Sequence, residues 1–137
     1  MIATFAYAST ISAPTISESE GQVTDILQTT SYQPSNTSSN KLKNFLAQQL
    51  AKYGDPDDYF TLYNLIQCES GWDIDAQNPK STAHGLSQFL RGTFDGYCGG
   101  DFYNPYSQIH CLVIAWTDNK QHWWDESKWC WEKYLTN

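Results

Sequence analysis

Apolar positions recur with a helical period in several stretches, separated by turn-forming residues. In NKLKNFLAQQLAKYG, Leu42, Leu46, Leu50 and, more weakly, Tyr53 share one helical face, with Phe45 beside them. Asn40 is placed to cap the start of this helix and Gly54 its end. DPDDYFTLYNLIQCES begins a second helix. Asp55 can cap it, Pro56 suits the first helical position, and Asp57 and Asp58 sit at the positive end of the helix dipole. Tyr59, Leu62, Tyr63, Ile66 and Ser70 mark its inner face, and Glu69 lies in the last turn at the edge of that face. GWDIDAQNPKSTAHG is rich in turn residues and lacks a helical period, which predicts an irregular loop or small hairpin. Helical spacing resumes in GLSQFLRGTFDGYC through Leu86, Phe89, Leu90 and Phe94, and in NPYSQIHCLVIAWTDN through Ile109, Leu112, Val113 and Trp116. HWWDESKWCWEKYL predicts a last short helix.

The pattern therefore predicts a mainly α domain over residues 41–137, with helices around one core and one irregular region between the second and third. Residues 1–40 read differently. From Ser9 to Asn40 the chain is rich in Ser and Thr and poor in large apolar residues, too few to offset the entropy of ordering. This segment is expected to be a flexible linker or a loosely docked arm, with a short helical piece around GQVTDILQ. The opening MIATFAYAST is apolar and contains the small-x-small triplet Ala6-Tyr7-Ala8, but the first basic residue is Lys41. It is expected to be the remnant of a secretory signal.

All six tryptophans fall between Trp72 and Trp131, so the packed part is the C-terminal two thirds. The formal net charge of −7 argues against nucleic acid or an anionic membrane surface as partner. No apolar run approaches the roughly 18 residues that span a bilayer. The four cysteines, Cys68, Cys98, Cys111 and Cys130, lack C-x-x-C spacing, which disfavours a zinc site. An even number in a small domain fits disulfides and an oxidising compartment, and leaves three pairings open. The histidines His84, His110 and His122 show no metal-ligand spacing, so neither metal nor cofactor is expected.

The stretch CESGW, residues 68–72, poses the chemical question. From position alone, Glu69 is either a solvated helix-terminal carboxylate or a placed acid. Cys68 is a nucleophile, a metal ligand or half of a disulfide. A carboxylate beside it would raise a thiol's pKa, which disfavours the nucleophile.

ESGWDIDAQNPKSTAHGLSQF resembles the signature of the soluble lytic transglycosylase family, which shares the lysozyme-like fold. The matching elements are Glu69-Ser70, the stretch Ala76 to Ser81 and the stretch Gly85 to Phe89, in family order and spacing. The sequence CES and the Trp-rich tail ending in a cysteine are similar to resuscitation-promoting factors. The resemblance covers residues 56–131. It implies Glu69 as the catalytic acid, with Ser70 orienting it or the substrate and Gln88 lining a sugar cleft. It also implies that Cys68 pairs with Cys130, which leaves Cys98 with Cys111. The family's supporting tyrosine has no counterpart, because the segment reads Ala115-Trp116-Thr117-Asp118-Asn119.

Cleaving a glycosidic bond requires protonating a poor leaving oxygen, and a carboxyl buried beside apolar groups is kept neutral for that task. Ile66, Trp72, Leu86 and Phe89 are the expected apolar surroundings of Glu69. A hydrolase needs a second carboxylate, and none of Asp73, Asp75, Asp95 or Asp125 sits at a spacing that forces it opposite. The resemblance implies that none is required: the bond between N-acetylmuramic acid and N-acetylglucosamine would open by attack of the muramic 6-hydroxyl. Trp72, Tyr103 and Trp123 are the aromatic candidates for binding sugar, while Asn78 is expected to fix its loop. The expectation is thus a secreted, monomeric enzyme acting on peptidoglycan glycan strands. Alternatives are a hydrolytic muramidase, a cell-wall glycan-binding module without turnover and, most remotely, a cysteine peptidase.

Overall fold

The computed structural model describes residues 35–135, and the expected signal remnant and most of the linker lie outside them. Five α-helices carry the domain: α1 (Ser35–Tyr53), α2 (Tyr59–Ser70), α3 (Arg91–Tyr97), α4 (Pro105–Thr117) and α5 (Lys128–Trp131). Short 3-10 segments cover Pro56–Asp58, Gln121–Ser127 and Glu132–Tyr134. Among the described residues there is no strand, only the isolated bridges Gln77 to His84 and His84 to Phe89. The fold is mainly α. No described helix is long and apolar enough to cross a membrane.

α1 begins at Ser35 rather than after Asn40. Ser, Thr and Asn are indifferent helix formers, but extending an existing helix fixes one residue per hydrogen bond gained. The helix is anchored downstream by Leu42, Leu46 and Leu50, all buried. α1 lies along α4 and runs in the same direction. Phe45 meets Tyr106 edge-on at 5.0 Å, Gln49 Oε1 lies 2.7 Å from His110 Nδ1, and Thr117 Oγ1 donates to the Tyr53 carbonyl at 3.3 Å. Tyr53 is on the rim of that face, exposed and packed edge-on against His110.

The turn before α2 forms as its residues require. Asp55 accepts from the Asp57 amide at 2.9 Å and Pro56 opens the 3-10 segment. α2 buries Leu62 and Ile66, as its period indicates, and also Thr61 and Leu65. Its inner face is therefore wider than the single stripe read from the sequence. Thr61 gains a partner for its buried hydroxyl by donating to the Tyr134 carbonyl of the tail. α4 is capped by Asn104, which accepts from the Tyr106 amide at 2.9 Å, and buries Ile109, Leu112, Val113 and Trp116.

Helical structure does not resume at Gly85. Residues 85–88 form a tight turn closed by the bridge between His84 and Phe89, and only Arg91–Tyr97 is helical. Leu86 and Phe89 are buried as expected, but Leu90 is exposed. Their helix-like spacing comes from a turn that tucks two side chains inward. The tail is likewise a broken run, 3-10 then α then 3-10, rather than one helix.

Two disulfides staple this arrangement. Cys68 bonds Cys130, with 6.2 Å between Cα atoms, and Cys98 bonds Cys111, with 5.6 Å. The first joins the end of α2 to α5, and the second joins the end of α3 to α4. The bridges enclose sequence separations of 62 and 13 residues. Replacing Cys68 and Cys130 together by alanine is expected to cost about 4 kcal/mol, and Cys98 with Cys111 about 3 kcal/mol, on the chain-entropy relation. Urea unfolding of the two double variants measures both losses and their order.

Candidate functional site

The site begins where α2 stops. Gly71 adopts φ 62° and donates its amide to the Gln67 carbonyl at 3.0 Å, closing the helix in the left-handed manner that glycine permits. Trp72 follows in the same region at φ 66°. For a side chain with a Cβ this costs about 1–2 kcal/mol, and the buried indole offsets it. The two left-handed residues turn the chain sharply, so that Glu69 is left on the last turn facing an open cleft.

Ser70 fixes this corner. Its hydroxyl lies 2.9 Å from the Leu86 carbonyl and 3.1 Å from the Ile66 carbonyl, and accepts from the Trp72 amide at 3.2 Å. These contacts join the end of α2 to the turn at residues 85–89. Gln88 braces the same region from the other side. Held at φ 49°, it donates from Nε2 to the carbonyls of Ala76 at 3.0 Å and Gly85 at 2.9 Å. Gly85 lies at φ 70°, and a Cβ there would fall on the buried amide of Gln108 in α4. Asn78 accepts from the Lys80 amide at 2.9 Å and holds the loop, although it also lines the cleft.

The cleft encloses about 620 Å³, within the usual range for small-molecule sites. Glu69 and Gln88 form part of its wall, with Trp123, Trp124 and Glu126 from the tail and Lys80 from the loop. Trp124 is fixed by its indole N–H, which donates to the Ser87 carbonyl at 2.9 Å, and by Phe89 edge-on at 5.4 Å. Trp123 stands edge-on to Tyr97 at 5.0 Å. Tyr97 is itself held by donating its hydroxyl to Asp118, a bond that pushes the phenol pKa up to about 12.

Glu69 is half-buried. Burial pushes its carboxyl above the ordinary value, the nearby Glu126 charge adds to this, and a hydrogen bond from Ser127 acts against it. Ser127 Oγ donates to Glu69 Oε1. It lies 3.2 Å from the Trp124 carbonyl and accepts from the Trp131 indole N–H at 3.1 Å.

Comparison with protein-family models, with curated proteins and with solved structures finds no match.

Of the residues singled out in the sequence, the fold brings Glu69, Gln88 and Trp123 to one cleft. Ser70 does not line it, because its hydroxyl is consumed in joining two backbone segments. Trp72 does not line it either, being buried against Tyr63 at 5.2 Å. Tyr103 is exposed in a separate recess with His84 and Arg91, which shares only Ser81 with the cleft. Asp73, Asp75, Asp95 and Asp125 are absent from the cleft wall, whereas Glu126, which periodicity did not single out, is part of it. The signal for Glu126 and Ser127 was the pairing of Cys68 with Cys130. That bond brings the residues just before Cys130 to the end of α2.

A carboxyl whose folded-state pKa lies above its unfolded value adds stability that is complete below the unfolded value and disappears as pH rises through the folded one. Above that window, charged Glu69 is a burden on the fold. Glu69→Gln removes the charge while keeping an acceptor for Ser127. The variant is expected to melt higher than the parent at neutral pH, with the difference vanishing below the ordinary carboxylate range. Calorimetry across that range measures it.

Proposed function

We propose that the protein is a peptidoglycan lytic transglycosylase. The observation that carries this reading is Glu69: a half-buried carboxyl, held above its ordinary pKa, in the wall of a cleft with two tryptophans. It is supported by the likeness of ESGWDIDAQNPKSTAHGLSQF to the soluble lytic transglycosylase signature and by a mainly α fold of the kind that the lysozyme-like superfamily has.

In this reading a glycan strand lies in the cleft with the apolar C–H face of a sugar ring against Trp123. Neutral Glu69 gives its proton to the oxygen between C1 of N-acetylmuramic acid and C4 of N-acetylglucosamine, and the C1–O bond breaks. The muramic 6-hydroxyl then bonds to C1 and returns its proton to the Glu69 carboxylate. The products are an N-acetylglucosamine end and a 1,6-anhydromuramic end, no water is consumed, and the acid is restored. Burial matters twice. It favours the protonated form of Glu69 before reaction, and it makes the carboxylate a stronger base afterwards. Two disulfides suit an oxidising location outside the cytoplasm, where peptidoglycan lies.

One observation favours a second reading. Glu126 lines the same cleft, and a hydrolytic muramidase requires a second carboxylate. The two chemistries leave different ends. Digestion of purified sacculi followed by mass spectrometry is expected to give 1,6-anhydromuramic ends, with Glu126→Gln retaining the same products. Reducing muramic ends that vanish in Glu126→Gln would assign the hydrolase instead. Glu69→Gln is expected to lose wall clearing by about 100-fold or more, the scale of a general acid. Clearing at the parent rate would leave only a glycan-binding role. Trp123→Ala is expected to raise KM about tenfold with kcat little changed, as the loss of one aromatic platform does.

A further inference from the structure

The side chain behind Glu69 is neither the tyrosine of the resembled family nor a residue of the matching motif. It is Ser127, the last residue of the Gln121–Ser127 segment. Four residues on, Trp131 is almost fully buried, with 1 % of its surface exposed. Its indole N–H lies 3.1 Å from Ser127 Oγ and 3.3 Å from the Trp124 carbonyl. An indole N–H donates and never accepts. The direction of the contact is therefore fixed, and Ser127 Oγ receives a hydrogen from Trp131.

That leaves the single hydrogen of the serine hydroxyl. Two acceptors are within its reach, the Trp124 carbonyl and Glu69 Oε1. The carbonyl already shares the Trp131 N–H, whereas a carboxylate oxygen is the stronger acceptor. The hydrogens thus point one way, from Trp131 through Ser127 to Glu69. The Cys68–Cys130 bond holds the two ends of this chain in register, since Glu69 follows one cysteine and Trp131 the other.

The geometry points to Ser127 as the positioning residue of the acid: fed by Trp131, it occupies Oε1 of Glu69 and so reserves Oε2 for the proton exchanged with the substrate. An oxygen that already accepts a hydrogen bond from a hydroxyl, whose only hydrogen is committed to it, is a poor place for a proton. Oε2 then carries the proton in the neutral acid and receives it back in the second half of the reaction. The same carboxyl oxygen faces both tasks, and no rotation of the group is needed between them. Two other charged side chains line the cleft with Glu69, Glu126 beside Ser127 and Lys80 on the loop, and both remain in every variant below. The inference rests on Glu69 being the acid of the proposed reaction.

The test compares the parent with Ser127→Ala, Ser127→Thr and Trp131→Phe, reading kcat on sacculi against pH and the titration of the Glu69 carboxyl by NMR. A serine donor favours the ionised carboxylate, so its removal favours the neutral acid. Ser127→Ala is expected to lose about tenfold in kcat, a fraction of the whole acid's contribution, and to move both the alkaline limb of activity and the Glu69 titration to higher pH. Ser127→Thr is expected to return both to the parent position. Trp131→Phe, which keeps a buried aromatic ring but removes the N–H together with part of the ring volume, is expected to displace them in the same direction by less. The Trp131→Phe titration also reads the chain if Ser127→Ala does not fold. A Glu69 titration unmoved in Ser127→Ala and Trp131→Phe, or a loss uniform over pH that threonine does not rescue, overturns the proposal. The control Glu69→Gln separates the two levels: parental activity there overturns the acid itself, whereas an inactive Glu69→Gln beside an unmoved Ser127→Ala overturns the positioning role alone.

Discussion

Glu69 is held by attachments on both sides of one helix end. Its neighbour Cys68 is bonded to Cys130 in the tail, and its own Oε1 accepts from Ser127 in the same tail. A half-buried carboxyl is under constant pressure to swing outward, because water solvates its charge better than protein does. α2 alone would not resist this, since the last turn of a helix has carbonyls without intrahelical partners and frays readily. The disulfide keeps the tail beside α2, and the tail supplies both the burial and the hydrogen bond. The cleft wall then follows. Trp123, Trp124 and Glu126 belong to the segment that leads into this clasp, so one covalent bond sets the position of most of the wall that the loop does not provide.

The loop side is built at a cost in backbone conformation. Trp72 and Gln88 occupy the left-handed region without being glycine, and both border the corner that displays Glu69. Such residues persist only where their surroundings over-determine them. Trp72 is held by burial of its ring, and Gln88 by two carbonyls that its amide bridges. Gly85 serves a different need, the close approach of the turn to Gln108. Ser70 binds these pieces together, which explains a serine next to Glu69 that does not line the cleft. It accepts from one side of the corner and donates to the other.

Much of this was legible in the sequence, for reasons that differ by residue. α4 combines a clear apolar period with a capping asparagine and a first-turn proline, and the 3-10 turn that leads into α2 carries a capping aspartate and a proline of its own, so local and tertiary preferences agree. Position left Glu69 open between a solvated helix-terminal carboxylate and a placed acid, and only the likeness of its surroundings to the transglycosylase signature singled it out. The helix wrongly expected from Gly85 shows the limit of periodicity. Leu86, Phe89 and Leu90 have helical spacing, yet positive φ at Gly85 and Gln88 breaks the path, and spacing carries no information about the sign of φ. Trp72 was a candidate on side-chain type, and Tyr103, like Trp123, on its place beside a turn-rich stretch. An aromatic ring fills a core as readily as it stacks on a sugar, and only three-dimensional placement separates Trp123 from Trp72. Ser127 was invisible to any local pattern, because its partners are far away in sequence and an isolated serine before a tryptophan-rich tail carries no mark of them.

The opposing influences on Glu69 also limit what the site can become. Burial and the Glu126 charge favour the neutral acid, while Ser127 favours the carboxylate. A reaction that uses one carboxyl first as acid and then as base gains from neither extreme: too weak an acid fails to protonate the leaving oxygen, and too strong a one fails to recover the proton. The serine moderates a shift that burial alone would carry further, and it does so through a single oxygen. Glu126 contributes from an exposed position, where its charge reaches Glu69 without a second desolvation cost. The arrangement therefore adjusts acidity with one buried contact and one surface charge, each of which can change without dismantling the core beneath α2.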